Sequence, residues 1–272
     1  MIGFIGCGNM GSAMVEGIIT GRLRKSVEII VYDHDISRTE SLKERFGLKV
    51  AADPLSLLRE SSEVFLSVKP QEMGGLLQTI KPLLRPEHLL ITVAAGLNIS
   101  FYEKYLGKEQ SVVRLMPNTP CLVGEGMIVV CSNKNVESWQ EQLIIKLLKP
   151  LGKVIVLEEK HFDAVTALSG SGPAYIFLVI ESLADGAVEM GLSRDVALML
   201  ASQTVFGAAK MCLDSGENPS ILKNRITSPA GTTSAALMAL EEGAVRSLFA
   251  KAVAAATHRS KEMGSNMDLN GN

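Results

Sequence analysis

Little in this sequence announces a metal site or a disulfide framework. Its cysteines stand at 7, 121, 131 and 212, with no CxxC pair and no regular spacing, a pattern that suits reduced thiols. The histidines at 34, 88, 161 and 258 are equally scattered, so no metal-ligand cluster is written locally and no metal is expected. Charge of one sign is missing too. A formal net charge of −2 leaves no basic face for nucleic acid and no polybasic anchor for a membrane. Long hydrophobic runs are also short of what a bilayer asks: Ala174–Ile180 stops at Glu181, and Val196–Ala209 contains Ser202, Gln203 and Thr204. Both fall below the ~20 residues of a membrane span and read as buried helices. The opening MIGFIGCGNMG carries no charged leader and no cleavage site, which predicts a cytoplasmic chain without a signal peptide. With 47% apolar and 21% charged residues, disorder is excluded as well.

What is present divides into two grammars. Residues 1–158 alternate β-rich runs with amphipathic stretches, and strands alternating with helices predict a doubly wound, mostly parallel sheet. The strands are expected at Ile2–Ile5, Glu28–Tyr32, Val64–Val68, Leu89–Val93, Ser111–Leu115, Met127–Val130 and Val154–Val156. The helices between them are expected at Asn9–Thr20, Ser37–Phe46, Pro54–Glu60, Met73–Leu84 and Val136–Leu148. The segment Gly126–Val130 arrives without a long helix before it, which marks it as antiparallel. From residue 159 to 272 the β-rich runs stop, and an all-α domain is expected, with helices at Pro173–Met190, Asp195–Leu213, Pro229–Glu241 and Arg246–Glu262. The first two are apolar nearly all round, and such helices need cover on every side. A partner subunit supplies it.

The strand Ile2–Ile5 runs directly into Gly6-Cys7-Gly8-Asn9-Met10-Gly11. Glycines at 6, 8 and 11 meet the three demands of a dinucleotide loop: a tight turn, close approach to a pyrophosphate, and close packing of helix on strand. The following strand ends in Asp33, placed to accept the ribose hydroxyls and so to favour NADH slightly over NADPH. Arg38 opposes that preference by offering a cation to a 2′-phosphate. Further loops after strands would line the same crevice: Val68-Lys69-Pro70, Ala94-Ala95-Gly96 and Met116-Pro117-Asn118-Thr119-Pro120, with Asn118 available to the ribose or carboxamide.

In the helical half, Thr227-Ser228-Pro229-Ala230-Gly231-Thr232-Thr233 precedes an apolar-periodic stretch. Ser228 reads as a helix N-cap and Pro229 as the first helical residue. The free amides that follow would form a carboxylate-sized anion site. Glycine inside a first turn costs roughly 1 kcal/mol relative to alanine, so Gly231 is better explained by a ligand's close approach. Ser169-Gly170-Ser171-Gly172-Pro173-Ala174-Tyr175 is a second segment richer in small residues than a helical domain needs.

Taken together, FIGCGNMG at 4–11, SVKP at 67–70, AAG at 94–96, RLMPNTP at 114–120, SGSGPAY at 169–175, NPSILK at 218–223, SPAGTT at 228–233 and AATHRSKEM at 255–263 resemble the pyrroline-5-carboxylate reductases. The resemblance spans nearly the whole chain. It implies a Rossmann domain followed by a helical domain intertwined with a second subunit, in dimers that assemble into larger rings. It implies reduction of a cyclic imino acid, Δ1-pyrroline-5-carboxylate, by NADH or NADPH. It further implies a substrate between the nicotinamide and the SPAGTT helix start, its carboxylate on Ser228 and the amides of Gly231 and Thr232. The Thr233 hydroxyl would then bond the ring nitrogen as the catalytic contact. Two departures stand out: Asp33, where many members have no acid, and Ala230, where the family usually has glycine. A β-hydroxyacid dehydrogenase reading fails because Ile176 occupies the position of its catalytic lysine. A non-catalytic dinucleotide sensor would need no intact SPAGTT segment.

Overall fold

Short apolar runs separated by amphipathic stretches build an eight-stranded sheet in the computed structural model, which describes residues 1–270, and side chains through residue 264. The strands are β1 Ile2–Ile5, β2 Ile29–Tyr32, β3 Lys49–Val50, β4 Glu63–Leu66, β5 Leu89–Thr92, β6 Ser111–Met116, β7 Gly126–Ser132 and β8 Gly152–Val156. Between them lie α1 Asn9–Thr20, α2 Ile36–Phe46, α3 Pro54–Glu60, α4 Pro70–Ile80, α5 Ile99–Leu106 and α6 Ser138–Leu148. The order across the sheet is β3-β2-β1-β4-β5-β6-β7-β8. Strands β1 to β6 pair in parallel. Strand β7 runs antiparallel to β6, as its short connection requires, since a parallel crossover needs a dozen or more residues.

Parallel strands covered on both faces are continuous apolar runs rather than alternating ones. All residues of β1, β5 and β6 are buried, and Phe4 stacks on Phe65 with ring centroids 4.5 Å apart. Because β1 is flanked by β2 and β4, the winding reverses there. Such a switch point opens a ligand crevice beyond the carboxyl ends of the two central strands.

Some elements escape the periodicity. Strand β3 has only two residues, too few to show a pattern. Helix α5 is rich in aromatic residues, Phe101, Tyr102 and Tyr105, and is started by Asn98, whose side chain accepts the Phe101 amide at 2.8 Å. Helix α4 begins at Pro70, ahead of its first apolar residue, because proline suits a first turn whose amide has no partner.

The chain forms two compact units, residues 1–171 with 256–270, and Gly172–Ala255. The first also contains the short helix α7, Phe162–Val165, and a π-helical turn over Thr166–Gly170. The second holds α8 Gly172–Glu189, α9 Arg194–Ser215, α10 Pro219–Arg225, α11 Thr232–Glu242 and the first part of α12 Val245–Asn270. Helices α8 and α9 pack through Ala184, Ala197 and Ala201. Their large apolar side chains face outward, with Phe177 63% and Leu200 51% exposed. By length and composition, Glu159–Glu189 and Arg194–Ser215 are long and apolar enough to cross a membrane. The uninterrupted apolar runs inside them remain shorter than a span. Isolated polar residues such as Ser202 interrupt a run without changing the balance of the helix.

Candidate active site

The glycine loop follows β1 at the switch point. Gly6 has φ 98°, and a Cβ there would stand 2.6 Å from the Ser67 carbonyl oxygen. Only glycine combines that left-handed backbone with that proximity. A Cβ on Gly11 would meet the Gly6 oxygen at 2.2 Å, so its absence lets α1 pack onto the turn. Gly8 differs: a Cβ there would find only Arg38 Nη1, at 3.8 Å. Gly8 also caps α1 without a side-chain hydrogen bond. The first-turn amides therefore lack a capping side chain, and with the helix dipole they present an anion-receiving end.

A cavity of about 880 Å³ opens on this loop and brings together Gly6, Gly8, Asn9, Asp33, Val68 and Lys69. Met10 and Gly11 belong to α1 and Pro70 to α4, outside its lining. Neither Ala95, Gly96 nor Asn118 lines it. Gly96, with φ 78°, borders a separate hollow of about 460 Å³ beside Arg114, Glu159 and Lys261. The Asn118 amide is engaged within the chain: Nδ2 donates to the Ser169 carbonyl at 3.0 Å, and Oδ1 accepts the Met127 amide at 2.9 Å. It thereby ties the loop after β6 to the π-helical turn, where a Cβ on Gly170 would meet Met116 Cε at 2.5 Å.

A dinucleotide suits this cavity on two observations. The space over Gly8 is open, and the Ser67 hydroxyl in the lining is buried without a hydrogen-bond partner. Ser67 belongs to the SVKP motif at 67–70 but stands one residue ahead of the loop Val68-Lys69-Pro70 expected to line the crevice. The available signal was a hydroxyl residue one step beyond a strand flanking the switch point.

Asp33 is placed beneath the loop rather than at its mouth. Its side chain is 2% exposed. Oδ2 accepts the Cys7 amide at 2.6 Å and Oδ1 the Asp35 amide at 2.9 Å, which takes two of roughly four acceptor positions on a carboxylate. Arg38, largely exposed, lies 3.6 Å from Asp33 and 3.2 Å from Asp35. The Cys7 thiol is pushed up to about 12, first by burial and then by the Asp33 carboxylate, with Arg38 opposing. It is a small neutral side chain, not a nucleophile.

In the second unit, Ser228-Pro229-Ala230-Gly231 forms a tight turn in which the Gly231 amide donates to the Ser228 carbonyl at 3.1 Å. Proline at the second position and a positive φ of 54° at Ala230 are the type II arrangement. Helix α11 accordingly begins at Thr232 with Gly231 as N-cap, which corrects the expectation that Ser228 caps a helix starting at Pro229. Gly231 therefore stands outside the first helical turn. A Cβ on Gly231 would meet Ser228 Oγ at 2.3 Å, so glycine there lets the Ser228 hydroxyl keep its place against the turn. The anion-receiving end persists, moved along the chain. No side chain caps α11, so the amides of its first turn, from Thr232 and Thr233 onward, remain available.

Comparison with known proteins places two family models on the chain: "Pyrroline-5-carboxylate reductase dimerisation" over residues 159–263 and "NADP oxidoreductase coenzyme F420-dependent" over residues 1–96. The pyrroline-5-carboxylate reductase of Methanosarcina acetivorans is 42% identical over 97% of this chain and 97% of its own. That of Arabidopsis thaliana is 40% identical over 96% and 95%. The solved Plasmodium falciparum pyrroline carboxylate reductase with NADP bound superposes with a TM-score of 0.87 at 38% identity, covering 97% of both chains. The Coxiella burnetii pyrroline-5-carboxylate reductase gives 0.91 at 37% identity, over 96% of this chain and 97% of its own.

Proposed function

This chain belongs to the pyrroline-5-carboxylate reductase family, and from that premise we propose that it reduces Δ1-pyrroline-5-carboxylate to L-proline, the final step of proline biosynthesis. It is an NAD(P)-dependent oxidoreductase. The observation that carries the substrate reading is the uncapped start of α11 behind the Ser228–Gly231 turn. This end suits a small carboxylate, and the chain also carries a dinucleotide cradle.

When bound, the reduced nicotinamide supplies the hydride. The rest falls to the chain. The free amides at the start of α1, with Gly6, Gly8 and Asn9, would hold the pyrophosphate. Val68, Lys69 and Pro70 after β4 would extend the cofactor site. Ala95, Gly96 and Asn118 lie outside the cavity and would reach the nicotinamide half only through the later loops, Asn118 by holding its loop rather than by its engaged amide. The Ser228 hydroxyl and the free amides of Thr232 and Thr233 would fix the substrate carboxylate, with Gly231 shaping the turn that presents them, and the Thr233 hydroxyl would meet the ring nitrogen. Holding the ring at two points presents one face to hydride transfer. A cyclic imine takes up its proton readily, so no strong side-chain acid is required.

The dimerisation match means that the chain self-associates. We extend this to a homodimer, assembled into a ring of dimers, in which both subunits contribute to each pocket. The outward apolar faces of α8 and α9 support it. A functional division at 158/159 and a cytoplasmic location, with neither nucleic acid nor membrane as partner, complete the proposal. A steady-state assay with Δ1-pyrroline-5-carboxylate and either NADH or NADPH tests it. Oxidation of the cofactor with formation of proline is expected. Cofactor binding without imine turnover would favour a non-catalytic dinucleotide sensor.

A further inference from the structure

Ser67 is the first residue beyond β4, and its amide donates to the Ile5 carbonyl at 2.8 Å. The residue is thereby pinned to the end of β1, where the glycine loop begins. Its carbonyl oxygen would lie 2.6 Å from a Cβ on Gly6, and its Cβ 3.3 Å from a Cβ on Gly11. Ser67 is wedged directly behind the loop.

Its hydroxyl is anomalous. Nearby buried or half-buried serines satisfy themselves locally: Ser12 Oγ donates to the Cys7 carbonyl at 2.8 Å, and Ser61 Oγ to the Leu57 carbonyl at 2.7 Å. Among the described residues, Ser67 Oγ stands alone as a buried side-chain oxygen or nitrogen without a partner. An unpaired buried hydroxyl costs stability, and native proteins rarely retain one without use. The residue lines the same cavity as Gly6, Gly8 and Lys69, behind the loop whose helix start suits a phosphate oxygen.

We propose that Ser67 Oγ donates a hydrogen bond to the pyrophosphate of the bound dinucleotide, so that the hydroxyl acquires its partner only on binding. The inference rests on the dinucleotide reading of the cavity and adds a binding residue to it.

The test is Ser67→Ala, read by thermal unfolding without ligand and by calorimetric titration with NADPH and with ADP, which has a pyrophosphate but no nicotinamide. Removing an unpaired hydroxyl should raise the unliganded midpoint by roughly 2 °C or more. Losing a bond to an anionic oxygen should weaken NADPH and ADP alike by roughly tenfold or more. These opposite signs separate a ligand contact from a structural role. Unchanged affinities, or a lowered unliganded midpoint, would overturn the proposal. So would weakened NADPH with unchanged ADP, which puts the contact on the nicotinamide half. If wild-type protein bound no dinucleotide, the reading of the cavity itself would fail, an outcome distinct from a wild type that binds and a variant that binds equally well.

Discussion

Asp33 accepts the backbone amide of Cys7 at 2.6 Å, tying the end of β2 to the glycine loop after β1. With its other oxygen on the Asp35 amide at 2.9 Å, the carboxylate braces the loop from below. Asp33→Asn keeps the shape but turns an NH2 group toward one of those amides. A charge-assisted bond lost and a donor left facing a donor should cost roughly 1.5–3 kcal/mol. A lowered midpoint in denaturant is expected, together with weaker binding of NADH and NADPH alike. Unaltered stability would show that the brace is dispensable.

The Cys7 thiol shares this setting. Its pKa is raised from 9.0 to about 12 by burial and the neighbouring carboxylate, so folding favours the protonated form. Stability from this group is complete below pH 9 and is lost as pH rises from there toward 12. Cys7→Ala should therefore show a shallower decline of the thermal midpoint across that alkaline window than wild type. Parallel declines would mean that the thiol titrates alike in both states.

Thr233, the second residue of α11, should leave cofactor affinity unchanged when replaced by valine, while imine reduction slows. Loss of one well-placed donor at a reacting centre costs roughly tenfold to a thousandfold in kcat, by analogy with oxyanion-hole deletions. Near-normal turnover by Thr233→Val would remove the hydroxyl from the mechanism.

Ala230 holds a left-handed backbone, φ 54°, at the turn before α11. For a residue with a Cβ this costs roughly 1–2 kcal/mol. Ala230→Gly relieves it and returns about 0.4–1 kcal/mol to the unfolded chain as entropy. The balance is a gain of up to about 1.6 kcal/mol, measurable as a higher midpoint in chemical unfolding. A lower midpoint would mean that the alanine methyl makes contacts worth more than the strain.

Leu200 is 51% exposed on α9 within a single chain. If a second copy covers it, the pair forgoes about 1.5–3 kcal/mol per uncovered side chain. Leu200→Lys should then abolish soluble dimer rather than merely slow the enzyme. Light scattering after size-exclusion chromatography decides the point: an active, well-folded variant monomer would refute an obligate intertwined interface.

What the sequence determined by itself is what contiguous residues decide. Ile2–Ile5 followed by Gly6, Gly8 and Gly11 specifies strand, turn and helix start, because each demand is met by a residue's own backbone freedom or by the next turn of chain. The strand–helix alternation led to the fold for the same reason, and the interrupted connection before Gly126 correctly marked an antiparallel strand. Only the tertiary structure decided how hydrogen-bonding capacity is spent. Asp33 is occupied by a residue 26 positions away, Asn118 by one 51 positions away, and Ser67 by none. The start of α11 was hidden too, since alanine ordinarily avoids the left-handed turn that Ala230 adopts. Local propensity states what a residue can do. Which partner it meets depends on chain segments brought together by burial of the sheet.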